Sequence, residues 1–139
     1  MNTSCRFCAL STSPESVVVG SVYIVPDAFP VTDGHHLVVP LRHCETFFDL
    51  TDEELSDTRA ALGELRELLT SVGADGFNIG WNSGVSAGQT VGHAHCHFIP
   101  RRTGDVADPE GGIRGAVPGR QKYGGTRARK ASVLAVAVL

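Results

Sequence analysis

The chain has 139 residues, of which 42% are hydrophobic and 19% charged, with a formal net charge of −3. That length suits one domain, and that composition excludes a largely disordered chain. No secretory leader is expected at residues 1–10, the apolar run 132–139 is far short of the roughly 20 residues a membrane helix needs, and four cysteines in such a chain point to a reducing, cytoplasmic setting.

Cys5-x-x-Cys8 opens the chain with the spacing of half a zinc knuckle. One such pair cannot close a tetrahedral site, and two reduced thiols in a core would look the same. Residues 17–19 and 22–25, β-branched runs about Gly20-Ser21, predict a hairpin. Residues 37–39 predict a third strand closed by Pro40. In Thr51-Asp52-Glu53-Glu54 the Thr51 hydroxyl and the Glu54 carboxylate would satisfy free amides at a helix start. Leu55, Ala61, Leu62, Leu65, Leu68 and Leu69 then recur with helical period as far as Gly73, which predicts one long amphipathic helix. Residues 77–82 predict a fourth strand and 93–101 a fifth, joined by a Gly-rich loop. Strands gathered before and after one helix, with hairpin connections, give an α+β class with an antiparallel sheet. Beyond Arg102, residues 111–114 are expected to be extended and the chain past Tyr123 to be a loose tail. Residues 101–139 carry 8 Lys and Arg against 3 Asp and Glu, while residues 1–100 carry 4 against 12. A basic end could reach toward a polyanion, but the plainer reading is a solvated terminus, and nucleic acid is not expected as a partner.

The most informative stretch is His93-Ala94-His95-Cys96-His97, with imidazoles at every second position. On an extended strand all three rings would share a face, with Ala94 and Cys96 on the other. Neighbouring rings would stand about 6.6 Å apart and the outer two about 13 Å, so one ion could not hold all three. An imidazole is mostly neutral at pH 7 and so keeps a lone pair for attack or ligation.

Together with Asn82-x-Gly84, Gly88-Gln89-Thr90-Val91 and the following Phe98-Ile99-Pro100-Arg101, the triad resembles the signature of the histidine triad (HIT) family of nucleotide hydrolases and nucleotidyl transferases, in its zinc-containing bacterial form. The likeness runs back through residues 34–40, Pro30 and Asp27, so a HIT domain is expected over residues 1–123 with a tail over 124–139. It departs from the pattern at Gly92, where many members carry a bulkier residue.

The resemblance implies a HIT-like fold of about five strands with one long and one short helix. It implies that His95 attacks the α-phosphorus of a nucleotide, its other ring nitrogen held by the main-chain carbonyl of His93. His97 would donate to the α-phosphate oxygens, as would Asn82, the backbone at Gly88, Gln89 and Thr90, with Gln89 and Thr90 toward the leaving group. Asp27 would accept from the ribose hydroxyls, His35 would support the triad from behind, and Phe7, Phe29 and Leu37 are candidates for a slot around the base. Structural Zn2+ is implied on Cys5, Cys8, His43 and His93. A purine nucleotide substrate and a homodimer, formed through the long helix and the fourth strand, are expected as partners. The expected activity is hydrolysis of nucleoside phosphoramidates or dinucleoside polyphosphates through a nucleotidyl-histidine. A transferase or phosphorylase using another acceptor, or a nucleotide-binding interaction module, remain alternatives.

Overall fold

The structure, a computed structural model, describes residues 4–124. Residues 125–139, including most of the expected tail and the whole apolar run, lie outside the described residues. The chain divides into two compact units, Met1–Ala107 and Asp108–Leu139.

The first unit begins with a short helix α1 (Arg6–Leu10), followed by strands β1 (Val17–Val19), β2 (Val22–Pro26) and β3 (His36–Pro40). The long helix α2 (Asp52–Ser71) comes next, then β4 (Gly76–Trp81) and β5 (Cys96–Arg101). All strand pairs are antiparallel, in the order β1-β2-β3-β5-β4. This is the α+β class with an antiparallel sheet that the sequence predicts, with the five strands and the long and short helices that the resemblance implies. The β1–β2 turn is anchored from outside the hairpin: the Ser21 amide and hydroxyl donate to Asp57 Oδ2 at 2.8 and 2.6 Å.

Alternation along the strands separates two apolar clusters. Val22, Ile24, Val38, Cys96 and Phe98 face α2, where Ala61, Leu65 and Leu69 meet them. Tyr23, Val25, Leu37 and Val39 face the other way and pack with Phe7 of α1. The capping box forms as expected, with the Glu54 amide donating to Thr51 Oγ1 and the Thr51 amide to Glu54 Oε1. The buried stripe of α2 is narrower than the leucine pattern suggests. Glu54, Thr58, Ala61, Leu65 and Leu69 are buried, whereas Leu68 is 57% exposed. Hydropathy overlooks Glu54 and Thr58, which are buried because their polar atoms find partners: Thr58 donates to the Glu54 carbonyl, and Glu54 accepts from Arg42.

In the second unit residues 111–114 are not extended; Gly112–Ala116 form a 3-10 turn. Gln121 Nε2 donates to the carbonyls of Asp108 and Glu110, and the Arg114 guanidinium lies over the Tyr123 ring. These local bonds outweigh the weak extended preference of a segment with two glycines.

Candidate active site

β5 starts later than the triad. Val38 pairs with Cys96 and Leu37 with His97, but residues 93–95 leave the sheet, where the Ala94 amide donates to the Cys44 carbonyl at 2.7 Å. The expected strand over 93–101 is therefore shortened to Cys96–Arg101, because Cys44 and not β3 takes the chain's hydrogen bond at Ala94. The rings still gather on the α1 side of the sheet. The Phe7 ring centroid lies 4.8 Å from that of His95 and 6.1 Å from that of His93, and His95 and His97 are 5.1 Å apart. Cys96 points into the opposite cluster, where burial pushes its thiol up to about 12, so it stays protonated and unreactive.

A cavity of about 530 Å³ opens in front of His95 and His97. Phe7, Leu10, Val25, Phe29 and Leu37 give it apolar walls, Asn82, Gly88 and Thr90 join the two rings in lining it, and Asp27 lines it as well. Asp27 is set by its own turn, its Oδ1 accepting from the Phe29 amide at 2.8 Å. Gly34 has φ of +89°, and a Cβ there would collide with the Leu69 side chain, so a glycine is required just before His35. His35 lies behind the cavity, 4% exposed, its Nε2 2.9 Å from His97 Nδ1.

The backbone assigns ring protons. His95 Nδ1 lies 2.9 Å from the His93 carbonyl oxygen, which can only accept, so Nδ1 carries the proton and Nε2 keeps a lone pair. His93 Nε2 lies 2.8 Å from the Pro40 carbonyl and is protonated by the same reasoning, leaving its Nδ1 bare. Burial lowers the pKa of His97, and the neighbouring His95 and His35 lower it further against the pull of Asp27. The site thus places the His95 and His97 rings side by side at a cavity that has apolar walls and the Asp27 carboxylate in its lining.

The HIT domain profile matches residues 13–104. The chain belongs to the HIT family. An uncharacterized HIT-like protein of Methanocaldococcus jannaschii is 39% identical over 105 residues, 73% of this chain and 81% of that protein. The asymmetrical bis(5'-nucleosyl)-tetraphosphatase of Schizosaccharomyces pombe is 40% identical over 80 residues, 57% of this chain and 44% of that enzyme. AP-4-A phosphorylase of Mycobacterium tuberculosis is 38% identical over 87 residues, 61% of this chain and 45% of that enzyme. The match thus spans less than half the length of either enzyme. Among solved structures, a Zn-bound histidine triad family protein from Mycobacterium smegmatis superposes with a TM-score of 0.68 at 33% identity, covering 76% of this chain and 80% of that one.

In this HIT-family chain Cys5, Cys8, His43 and His93 form a cluster whose ligand atoms all lie within 4.8 Å of one another. Cys5 Sγ is 3.4 Å and Cys8 Sγ 3.6 Å from His93 Nδ1, and Cys8 Sγ is 3.3 Å from His43 Nδ1. Two sulfurs and two imidazole nitrogens suit a tetrahedral site, and the Pro40 carbonyl holds the His93 proton away from the nitrogen that faces the sulfurs. The cluster can hold a metal ion.

The site residues singled out in the sequence therefore fall into two groups with two exceptions, His35, which lies behind the cavity, and Gln89. Asp27, Asn82, Gly88, Thr90, His95 and His97 surround the cavity; Cys5, Cys8, His43 and His93 make the cluster, from which His93 lends its carbonyl to His95. Gln89 does neither. Its Nε2 donates to the carbonyls of Glu45 at 2.6 Å and Val91 at 3.0 Å, and its Oε1 accepts from the Gly84 amide at 2.8 Å, so it braces its own loop. Arg6, Leu10, Glu15, Val25 and Val91 also line the cavity and were not anticipated. The i, i+3 spacing of Phe7 and Leu10 around Cys8 was the one signal for a helical wall there.

Proposed function

We propose that the chain is a nucleotide-processing hydrolase that cleaves at the α-phosphate through a covalent nucleotidyl-histidine on His95. The observation that carries this reading is the bare Nε2 of His95, its partner nitrogen tied to the His93 carbonyl and its ring lining a nucleotide-sized cavity. The lone pair on Nε2 attacks the α-phosphorus, the bond to the leaving group breaks, and the leaving group departs with the electron pair and takes up a proton. Water then attacks the same phosphorus, the P–N bond breaks, and a nucleoside monophosphate is released with the imidazole restored. His97, Asn82, Thr90 and the backbone at Gly88 are the donors for the negative charge that builds on the phosphate oxygens. Asp27, acceptor-only when ionised, suits the ribose hydroxyls.

The relatives that act on dinucleoside tetraphosphates support this substrate class. Bound at Cys5, Cys8, His43 and His93, zinc would supply a structural cross-link that ties α1 to the catalytic segment, and the Zn-bound neighbour supports that choice of metal. The second reading, transfer to an acceptor such as inorganic phosphate, is favoured by the phosphorylase among the relatives. A homodimer through α2 and β4 belongs to the same proposal.

Reaction with adenosine phosphoramidate, quenched in alkaline denaturant because a P–N bond to imidazole hydrolyses in acid, should leave a nucleotidyl adduct on the peptide spanning residues 93–101. Substituting His95→Ala should abolish both adduct and turnover. Turnover without an adduct, or with His95→Ala still active, overturns the proposal, and a phosphate requirement selects the second reading.

A further inference from the structure

By residue type alone, Asp27, His35 and His97, whose ligand atoms lie within 4.8 Å of one another, would suit a divalent cation. Their hydrogen bonds contradict that. The Val31 amide donates to His35 Nδ1 at 3.1 Å, so that nitrogen carries no proton. A neutral imidazole keeps one N–H, and on His35 it must therefore sit on Nε2. A cation on Nε2 would strip the ring of its last proton. Full protonation is opposed as well, since it would set N–H against N–H at Val31, and burial already holds His35 below the ordinary imidazole range against the pull of Asp27.

The His35 Nε2–H meets two acceptors, His97 Nδ1 at 2.9 Å and Asp27 Oδ2 at 3.3 Å. His97 Nδ1 is thus an acceptor, and the single proton of neutral His97 is on Nε2. We propose that His35, held by the Val31 backbone amide, is a positioning residue that fixes the His97 proton on Nε2, so that the cavity meets a bare Nε2 on His95 beside an Nε2–H on His97. The two rings lie on the same side of the sheet yet acquire opposite roles, because one is read by a carbonyl and the other by an imidazole donor. With the other tautomer His97 would aim a lone pair at phosphate oxygens. The inference takes the cavity for the nucleotide site proposed above, but the proton's place can be read without turnover.

Long-range proton–nitrogen NMR spectra of the zinc-loaded full chain, with His97 assigned through His97→Gln, should show a pyridine-type Nδ1 and a pyrrole-type Nε2 on His97. A pyrrole-type Nδ1 in the unsubstituted protein overturns the proposal. In His35→Ala both nitrogens should move to averaged shifts and kcat should fall about tenfold with little change in KM, a fraction of the 10²–10³ lost when a transition-state donor is removed outright. His35→Gln, whose amide can still donate to Nδ1, should keep the pattern and stay within about threefold of the parent. Unchanged His97 shifts in folded His35→Ala, or a second zinc equivalent that abolishes the His35 Nε2–H signal, would also overturn it. Loss of the nucleotidyl adduct with these spectra intact would sink the proposed hydrolase and leave the tautomer assignment standing.

Discussion

Replacing Gln89 separates a loop held from within from a loop held by substrate. The side chain makes three bonds, from Nε2 to the Glu45 and Val91 carbonyls and from Oε1 to the Gly84 amide. Because both Nε2 partners are carbonyls, the amide can sit only one way round. At a net value of about 0.5–1 kcal/mol per bond in a partly exposed setting, Gln89→Ala removes about 2 kcal/mol of local order, equivalent to roughly 30-fold more frequent opening. Gln89→Glu keeps the acceptor for Gly84 but turns a carboxylate toward two carbonyls, so it should open the loop at least as far. Amide hydrogen exchange at Gly84 reads that opening directly, with kcat and KM measured on the same samples. Both variants should exchange about 30-fold faster at Gly84 and show a raised KM, since Gly88 and Thr90 line the cavity from this loop. Unaltered exchange in a Gln89→Ala protein that has lost turnover would refute the brace and place the amide on the substrate.

Glu54→Ala should cost about 2 kcal/mol in urea unfolding, since it removes half of a helix cap and the acceptor for Arg42; a loss under about 0.5 kcal/mol would show the pair to be idle. Burial raises the Glu54 pKa, but the hydrogen bonds from Arg42 and Thr51 outweigh it and hold it below the ordinary carboxylate value. That stabilisation is present above the unfolded carboxyl pKa of about 4.3 and is lost as pH falls through the lower folded value, so the parent's advantage over Glu54→Gln should shrink below pH 4. Cys8→Ser, or a strong chelator, should remove one zinc per chain measured by atomic absorption and lower Tm by roughly 10 °C; an unchanged Tm with full metal loss would deny the ion a structural role. Tyr23→Phe strands the Phe7 carbonyl that the buried hydroxyl now satisfies and should cost about 1–2 kcal/mol, read by the same urea titration.

The sheet was legible because its signal is periodic and local: β-branched runs alternate about glycine turns, and the residues at 22, 24 and 38 face α2 while those at 23, 25, 37 and 39 face α1. The ends of elements were less legible because they are decided by partners distant in sequence. Strand β5 begins at Cys96 and not at His93 because the Cys44 carbonyl, nearly fifty residues earlier, takes the Ala94 amide. The same holds within the site. Spacing gathered three imidazoles and the family resemblance assigned roles to His95 and His97, but a motif of identical imidazoles does not say which nitrogen of each ring is bare. That is set by groups with no signature of their own: the Pro40 and His93 carbonyls and, through His35, the amide of Val31. Any residue could supply those backbone atoms, so the division of labour among the three histidines is written in the fold that brings Pro40, Val31 and the triad together, and only the capacity for it is written in the motif.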